Sequence, residues 1–188
     1  MKKKNLLLTA ILLVVAAAAL LALAACDDLS GLILPQNNRD VAEQVVRIHI
    51  RANSNGSGDQ SVKLKVRDAV TDYLTDALKD CRSKTDALAE LNAESDALQS
   101  IAQNTLEENG YGYGARVLIG REHFPEREYD GYVFPEGDYD ALVILLGEGA
   151  GDNWWCVAFP PLCFVPDGGG ENIVYKSWVK EFLDRIFG

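Results

Sequence analysis

Histidine is nearly absent: the 188-residue chain holds two, His49 and His123. That argues against a dense metal site, because imidazole is the commonest nitrogen ligand. Basic charge is also scarce, and the formal net charge is −10. Setting aside Lys2, Lys3 and Lys4, residues 26–188 carry 15 basic against 28 acidic side chains. Neither nucleic acid nor electrostatic docking on anionic lipid suits that balance, since both need a basic face. No internal repeat is visible. The glycine run Gly147-Glu-Gly-Ala-Gly151 lacks the lysine and the following helix that a phosphate-cradling loop requires. Aspartates are plentiful, but none sits in a D-T/S-G context and most fall on solvated helix faces. No cofactor is expected. What is present is ordinary for a globular domain, with 48% hydrophobic and 24% charged residues.

The densest stretch is Gly147–Val165, GEGAGDNWWCVAFPPLCFV. It packs Trp154, Trp155, Cys156, the Pro160–Pro161 pair and Cys163 into a few residues. Large aromatics sit in cores or at contact surfaces, and adjacent strand residues point to opposite faces, so one tryptophan in and one out is the expected split. Cys156 and Cys163 fit no standard zinc or redox spacing. In an exported chain they suggest a disulfide. Closing so short a loop is worth roughly 2.5 kcal/mol. The competing reading is a nucleophilic Cys156 or Cys163 activated by His49 or His123, though no motif joins them. Cys81 reads as a buried thiol.

Residues 1–25 read as a leader: Met1-Lys-Lys-Lys, then an uncharged run from Asn5 to Ala25. Leu23-Ala-Ala-Cys26 resembles a bacterial lipobox, making Cys26 the lipidation candidate. An uncleaved signal anchor is the alternative. Either way the rest of the chain is extracytoplasmic, membrane-anchored or secreted. Residues 26–44 read as a tether and 45–188 as a single domain.

Within that domain, Val45–Arg51 alternates as a half-buried strand, with Arg47, His49 and Arg51 on its polar face. Ser57 and Gln60 read as a capping box. The helix they open has an apolar stripe of Val62, Val66, Val70, Leu74 and Leu78, with Lys63, Lys65 and Arg67 at other positions. A second helix spans about Thr85–Glu108 and ends at Asn109-Gly110. Strands follow at Ala115–Gly120, Glu128–Phe134, Tyr139–Leu146 and Trp154–Phe159, and Phe134 and Tyr139 flank a turn that suggests a hairpin. The glycine run before Trp154 reads as a flexible loop or as backbone that lets the tryptophans fold back. A closing helix is marked by Val174, Trp178, Val179, Phe182, Leu183, Ile186 and Phe187. The expected fold is α+β: two layers, a mostly antiparallel sheet packed against a helical hairpin, with a C-terminal helix.

Three blocks, Val45–Leu74, Tyr111–Gly149 and Asp152–Val165, together resemble the stage II sporulation protein R family of endospore-forming Firmicutes. Asn153–Cys163, NWWC-x3-PPLC, is the most specific. The matching positions are Arg47, His49, Ala52, Asn53, Ser54, Asp59, Gln60, Lys63, Lys65, Arg67 and Asp68, then Asn153, Trp154, Trp155, Cys156, Pro160, Pro161, Leu162 and Cys163. Asn55-Gly-Ser-Gly58 departs from the more acidic, proline-containing loop usual there. Not every member carries a lipobox like that at Cys26; if used, it would display the protein from the forespore membrane. The resemblance implies export from the forespore and signalling across the gap to the mother cell. The implied partner is a membrane-embedded aspartic protease (SpoIIGA-like), which on activation processes pro-sigma-E. It also implies that the protein is not an enzyme. The expected contact residues are Trp154, Trp155, Pro160, Pro161, Asn53 and Arg47, since aromatic anchors dominate such interfaces. An extracytoplasmic cysteine- or carboxylate-dependent hydrolase acting on cell wall is the alternative.

Overall fold

In the computed structural model, residues 37–129, 131–161 and 180–187 are described. The leader with Cys26, the first part of the tether, Cys163 and the start of the closing helix lie outside them. The described elements are α1 (Asn37–Gln44), β1 (Val46–Arg51), α2 (Ser57–Ala77), α3 (Lys84–Ala93), α4 (Ser95–Glu108), β2 (Ala115–Phe124), β3 (Arg127–Tyr129), β4 (Tyr132–Phe134), β5 (Gly137–Leu146) and β6 (Asn153–Phe159). Residues 180–187 are helical and are called α5.

The apolar stripe of α2 does what its spacing predicts. Val62, Val66, Val70, Leu74 and Leu78 are all buried. They share one side of the helix because side chains three and four apart stack along it. The segment from Lys84 is not one helix but two, broken at Glu94, whose carboxylate accepts a hydrogen bond from the Tyr73 hydroxyl. Ser83 caps α3 by accepting from the Asp86 amide at 3.1 Å. The expected capping box on α2 is absent. Gly56 is the N-cap, without a side-chain hydrogen bond, and Ser57 is the first helical residue. The Gln60 amide instead donates to the Ser54 carbonyl at 2.9 Å.

The main sheet is four-stranded, in the order β2-β5-β1-β6. β1 runs parallel to β5, while β1–β6 and β2–β5 are antiparallel. With the helices laid against it and α5 at its end, this is the expected α+β fold, the sheet being mixed but mostly antiparallel. Two connections differ from expectation. Glu128–Phe134 is not one strand but the separate two-stranded hairpin β3–β4, with Gly131 at φ 83° between its strands. Phe134 therefore does not pair across the turn to Tyr139; β5 pairs with β2 instead. The end of the supposed tether, Asn37–Gln44, is helix, with Val41 in the core and the Ala42 carbonyl accepting from Lys84 Nζ at 2.8 Å.

Register sorts the sheet into two faces. Val46, Ile48 and Ile50 of β1 share the helix-covered face with Leu142, Ile144 and Leu146. Arg47, His49 and Arg51 share the other face with Glu122, Phe124, Tyr139 and Trp155. That second face is not solvated along β1: Arg47 is 0% and His49 3% exposed. The β3–β4 hairpin and the aromatic ends of β2 and β5 cover it there. Toward the other end of β2 it opens, and Leu118 is 54% exposed.

Candidate interaction surface

The loop after β1 and the glycine loop before β6 form one rigid bracket. Gly151 N donates to the Ala52 carbonyl at 2.9 Å and Ala150 N to the Asn53 carbonyl at 3.3 Å. Asn53 Oδ1 accepts from the Glu148 amide at 3.0 Å, and Asn55 Oδ1 from the Asp152 amide at 2.6 Å. Gly147 sits at φ 56°, where an added Cβ would lie 2.2 Å from Asn53 Oδ1. These glycines serve close approach of two backbones, and the loop is not the free flexible loop its composition suggests.

Asp59 ties this bracket to the helices. Its carboxylate accepts from Asn53 Nδ2 at 2.8 Å, Ser54 Oγ at 2.6 Å and the Tyr113 hydroxyl at 2.7 Å. Ser54, then Tyr113, hold it below the usual carboxylate value. Lys63, only 5% exposed rather than on the solvated face, donates to Gln60 Oε1 at 2.7 Å and the Asp152 carbonyl at 3.0 Å. A carboxylate whose folded pKa is depressed contributes stability that is full above its unfolded pKa and lost as pH falls through the folded one. Asp59→Asn should therefore melt below the wild type at neutral pH, and the gap between them should close on acidification. Parallel thermal melts check this; a gap that stays constant with pH would show that Asp59 acts without its charge.

Arg47 lies inside an aromatic cage. Its guanidinium carbon is 4.5 Å from the ring centre of Phe124, 4.9 Å from Tyr139, 5.3 Å from Phe134 and 5.5 Å from Tyr129. Nε donates to the Cys156 carbonyl at 3.1 Å and Nη2 to the Tyr129 hydroxyl at 3.2 Å. Cation–π attraction grows when the cation is desolvated, which favours holding Arg47 here, although burial lowers its pKa. Next along the same face, His49 Nε2 lies 2.8 Å from Asn153 Oδ1, and Nδ1 lies 3.4 Å from Glu122 Oε1. Burial pushes this imidazole below its usual value. Arg51 binds the same Glu122 oxygen.

Trp154 and Trp155 point to opposite faces of β6, yet both are half-buried. Each is gripped by an arginine: Arg67 of α2 lies 5.8 Å from the Trp154 ring and Arg127 of β3 lies 4.4 Å from the Trp155 ring. Trp155 also packs on His49, with ring centres 5.5 Å apart. The expected split of one in and one out is thus replaced by two half-covered rings, because neither sheet face is sealed at this end.

Of the other expected contact residues, Pro160 and Pro161 are buried, following a cis Phe159–Pro160 peptide. Arg47 is sealed in its cage, and Asn53 is engaged within the bracket. Pro160, Pro161 and Arg47 are therefore enclosed, while Asn53 and the two tryptophans are each half-buried and keep some area exposed. Cys156 is buried and is not among the free cysteines, while its expected partner Cys163 lies outside the described residues. In register Cys156 faces Ile48, so its side chain is on the opposite sheet face from His49, which separates that nucleophile–base pair. His123 pairs instead with Asp138 at 2.9 Å and is 62% exposed. Cys81 is the expected buried thiol. Among the described residues no group of His, Cys, Asp and Glu is placed to hold a metal. Sequence reading missed Glu122, Arg127, Tyr129 and the cage rings. Their one signal was Arg47 itself, a cation on a strand that became central.

A family model described as stage II sporulation protein R matches residues 42–168. The stage II sporulation protein R of Bacillus subtilis (strain 168) is 38% identical over 133 residues, covering 71% of this chain. The match covers 59% of that relative, so the chain spans about three-fifths of the length of the curated relative it matches. No solved structure matches the chain.

Proposed function

The chain belongs to the stage II sporulation protein R family, and from that premise we propose that it is an exported signal which activates a membrane protease. Membership gives it a role in sporulation. The finer reading is that it leaves the forespore by its leader, displayed through Cys26 or released, and meets a SpoIIGA-like aspartic protease in the mother-cell membrane. Activation of that protease then removes the pro-sequence of pro-sigma-E. A Cys156–Cys163 disulfide would brace the segment that follows the tryptophans.

The observation that carries this reading is the tryptophan pair. Two adjacent rings, half-exposed on opposite faces of one strand and held by arginines from two other elements, form a pre-ordered aromatic anchor. Such anchors dominate protein–protein binding, and little ordering entropy is lost when they dock.

Co-expression of the full chain with the protease and pro-sigma-E in a non-sporulating host tests it. Cleavage is expected when all three are present and is lost when the leader is deleted. Failure to cleave, with the protein shown to be exported and folded, would reject the signalling role.

A further inference from the structure

Among the described residues, the buried side-chain nitrogens and oxygens without any hydrogen-bond partner are Arg47 Nη1, His49 Nδ1, Arg51 Nε and Trp155 Nε1. All four lie on the same sheet face, on β1 and its neighbour β6. Three of them can only donate. Buried donors are normally satisfied, and an unsatisfied one costs about 1–3 kcal/mol. Arg47 adds a second anomaly: its partners are a backbone carbonyl, a tyrosine hydroxyl and ring faces, with no carboxylate among them. A fully buried cation ordinarily has a counter-ion. Glu122 answers Arg51 and faces His49 Nδ1 at 3.4 Å, so the cation left without an anionic acceptor on this face is Arg47.

The β3–β4 hairpin is the element that closes it. The hairpin pairs with no strand of the main sheet, and a two-stranded ribbon is marginal by itself. It is held by side chains alone among the interactions identified: Tyr129 to Arg47, Arg127 on Trp155, the Tyr132 hydroxyl donating to Asp184 Oδ1 of α5 at 2.6 Å, and Phe134 against Phe187 at 5.0 Å. Its backbone takes no part in the main-sheet ladder, and among its described residues Phe134 is the one fully buried side chain.

We propose that the β3–β4 hairpin is a movable cover, and that lifting it uncovers a site for a carboxylate side chain of a protein partner, held by Arg47 and Trp155. A guanidinium presents its donors in a fork that matches a carboxylate. The rings of Phe124 and Tyr139, which stay with the main sheet beside Arg47, suit the methylene stem of a glutamate. In a chain of net charge −10, long-range attraction does not recruit an acidic partner, so recognition is local and follows docking of the exposed rings. The inference requires a protein partner, but not that the partner be a protease.

The test uses the full chain and a short capped peptide with one central glutamate, against its glutamine counterpart and sodium acetate. Nuclear magnetic resonance follows the Trp155 indole N–H, and hydrogen exchange follows the amides of residues 127–134. The glutamate peptide should shift the indole resonance to saturation and speed exchange in the hairpin. Arg47→Gln should weaken this binding about tenfold, the scale of a lost charged hydrogen bond. Should that variant fail to fold, Trp155→Phe removes one donor while keeping an aromatic ring, and should weaken binding several-fold. Equal responses to the glutamate and glutamine peptides, or none, overturn the proposal and leave trapped water as the acceptor. Saturation by acetate as tight as by the peptide also overturns it, because the ligand would then be a small acid.

Discussion

Gly151→Ala should cost about 3 kcal/mol, a large share of the roughly 5–15 kcal/mol that holds a domain folded. The added Cβ would lie 2.2 Å from the Ser54 carbonyl oxygen, 2.5 Å from its carbon and 3.0 Å from Ala52 Cβ. The first two atoms are backbone, so no rotamer change relieves the clash. The two loops must part, and with them go the Gly151–Ala52 and Ala150–Asn53 hydrogen bonds. Separation also draws Asp152 away from Lys63, which would leave a nearly buried ammonium short of an acceptor. The effect is steric, and Gly112→Ala is the control because nothing lies within 4 Å of its added Cβ. Urea denaturation of both variants checks the argument. If Gly151→Ala unfolds at the same midpoint as Gly112→Ala, the two loops are not locked together.

That bracket marks where the sequence stops being readable. Glycines at 147, 149 and 151 show that the backbone does something unusual there, but not what it approaches. Its partner, Asn53, lies 95 positions away from Glu148. The stripe from Val62 to Leu78 was legible because helical burial is a local pattern and needs no knowledge of what covers it. The alternation of β1 was equally legible, yet its meaning changed. Arg47 and His49 sit on a face that a hairpin eighty residues later covers, and no local pattern in Val46–Arg51 announces that cover. The break at Glu94 carries no glycine or proline, so a continuous helix was the natural reading. Among the candidate contact residues, the opposed faces of Trp154 and Trp155 followed from strand period alone. That Pro160, Pro161 and Arg47 would be enclosed depended on packing between distant segments.

Trp154→Ala should reduce protease activation by more than about tenfold, the scale of losing one interface anchor, while leaving the fold intact. The contacts of Trp154 support that separation. Its ring is half-buried, and its one identified ring partner is Arg67 at 5.8 Å, a long contact at the helix surface. Arg67 also binds Asp68 at 2.6 Å, so it keeps an ionic partner when the ring is removed. Trp155 is expected to behave differently. It packs against His49 and lies under Arg127 at 4.4 Å, with its indole N–H buried. Truncation there opens space beside a buried imidazole and loosens the hairpin, costing about 2–4 kcal/mol of stability as well as binding. The pair therefore separates anchoring from folding. Urea denaturation measures the stability of each purified variant, and pro-sigma-E cleavage in the co-expression assay measures its activity. Full cleavage with a correctly folded Trp154→Ala variant would remove that ring from the contact, and the partner would then have to be read from the open end of the other sheet face, around Leu118 and Arg51.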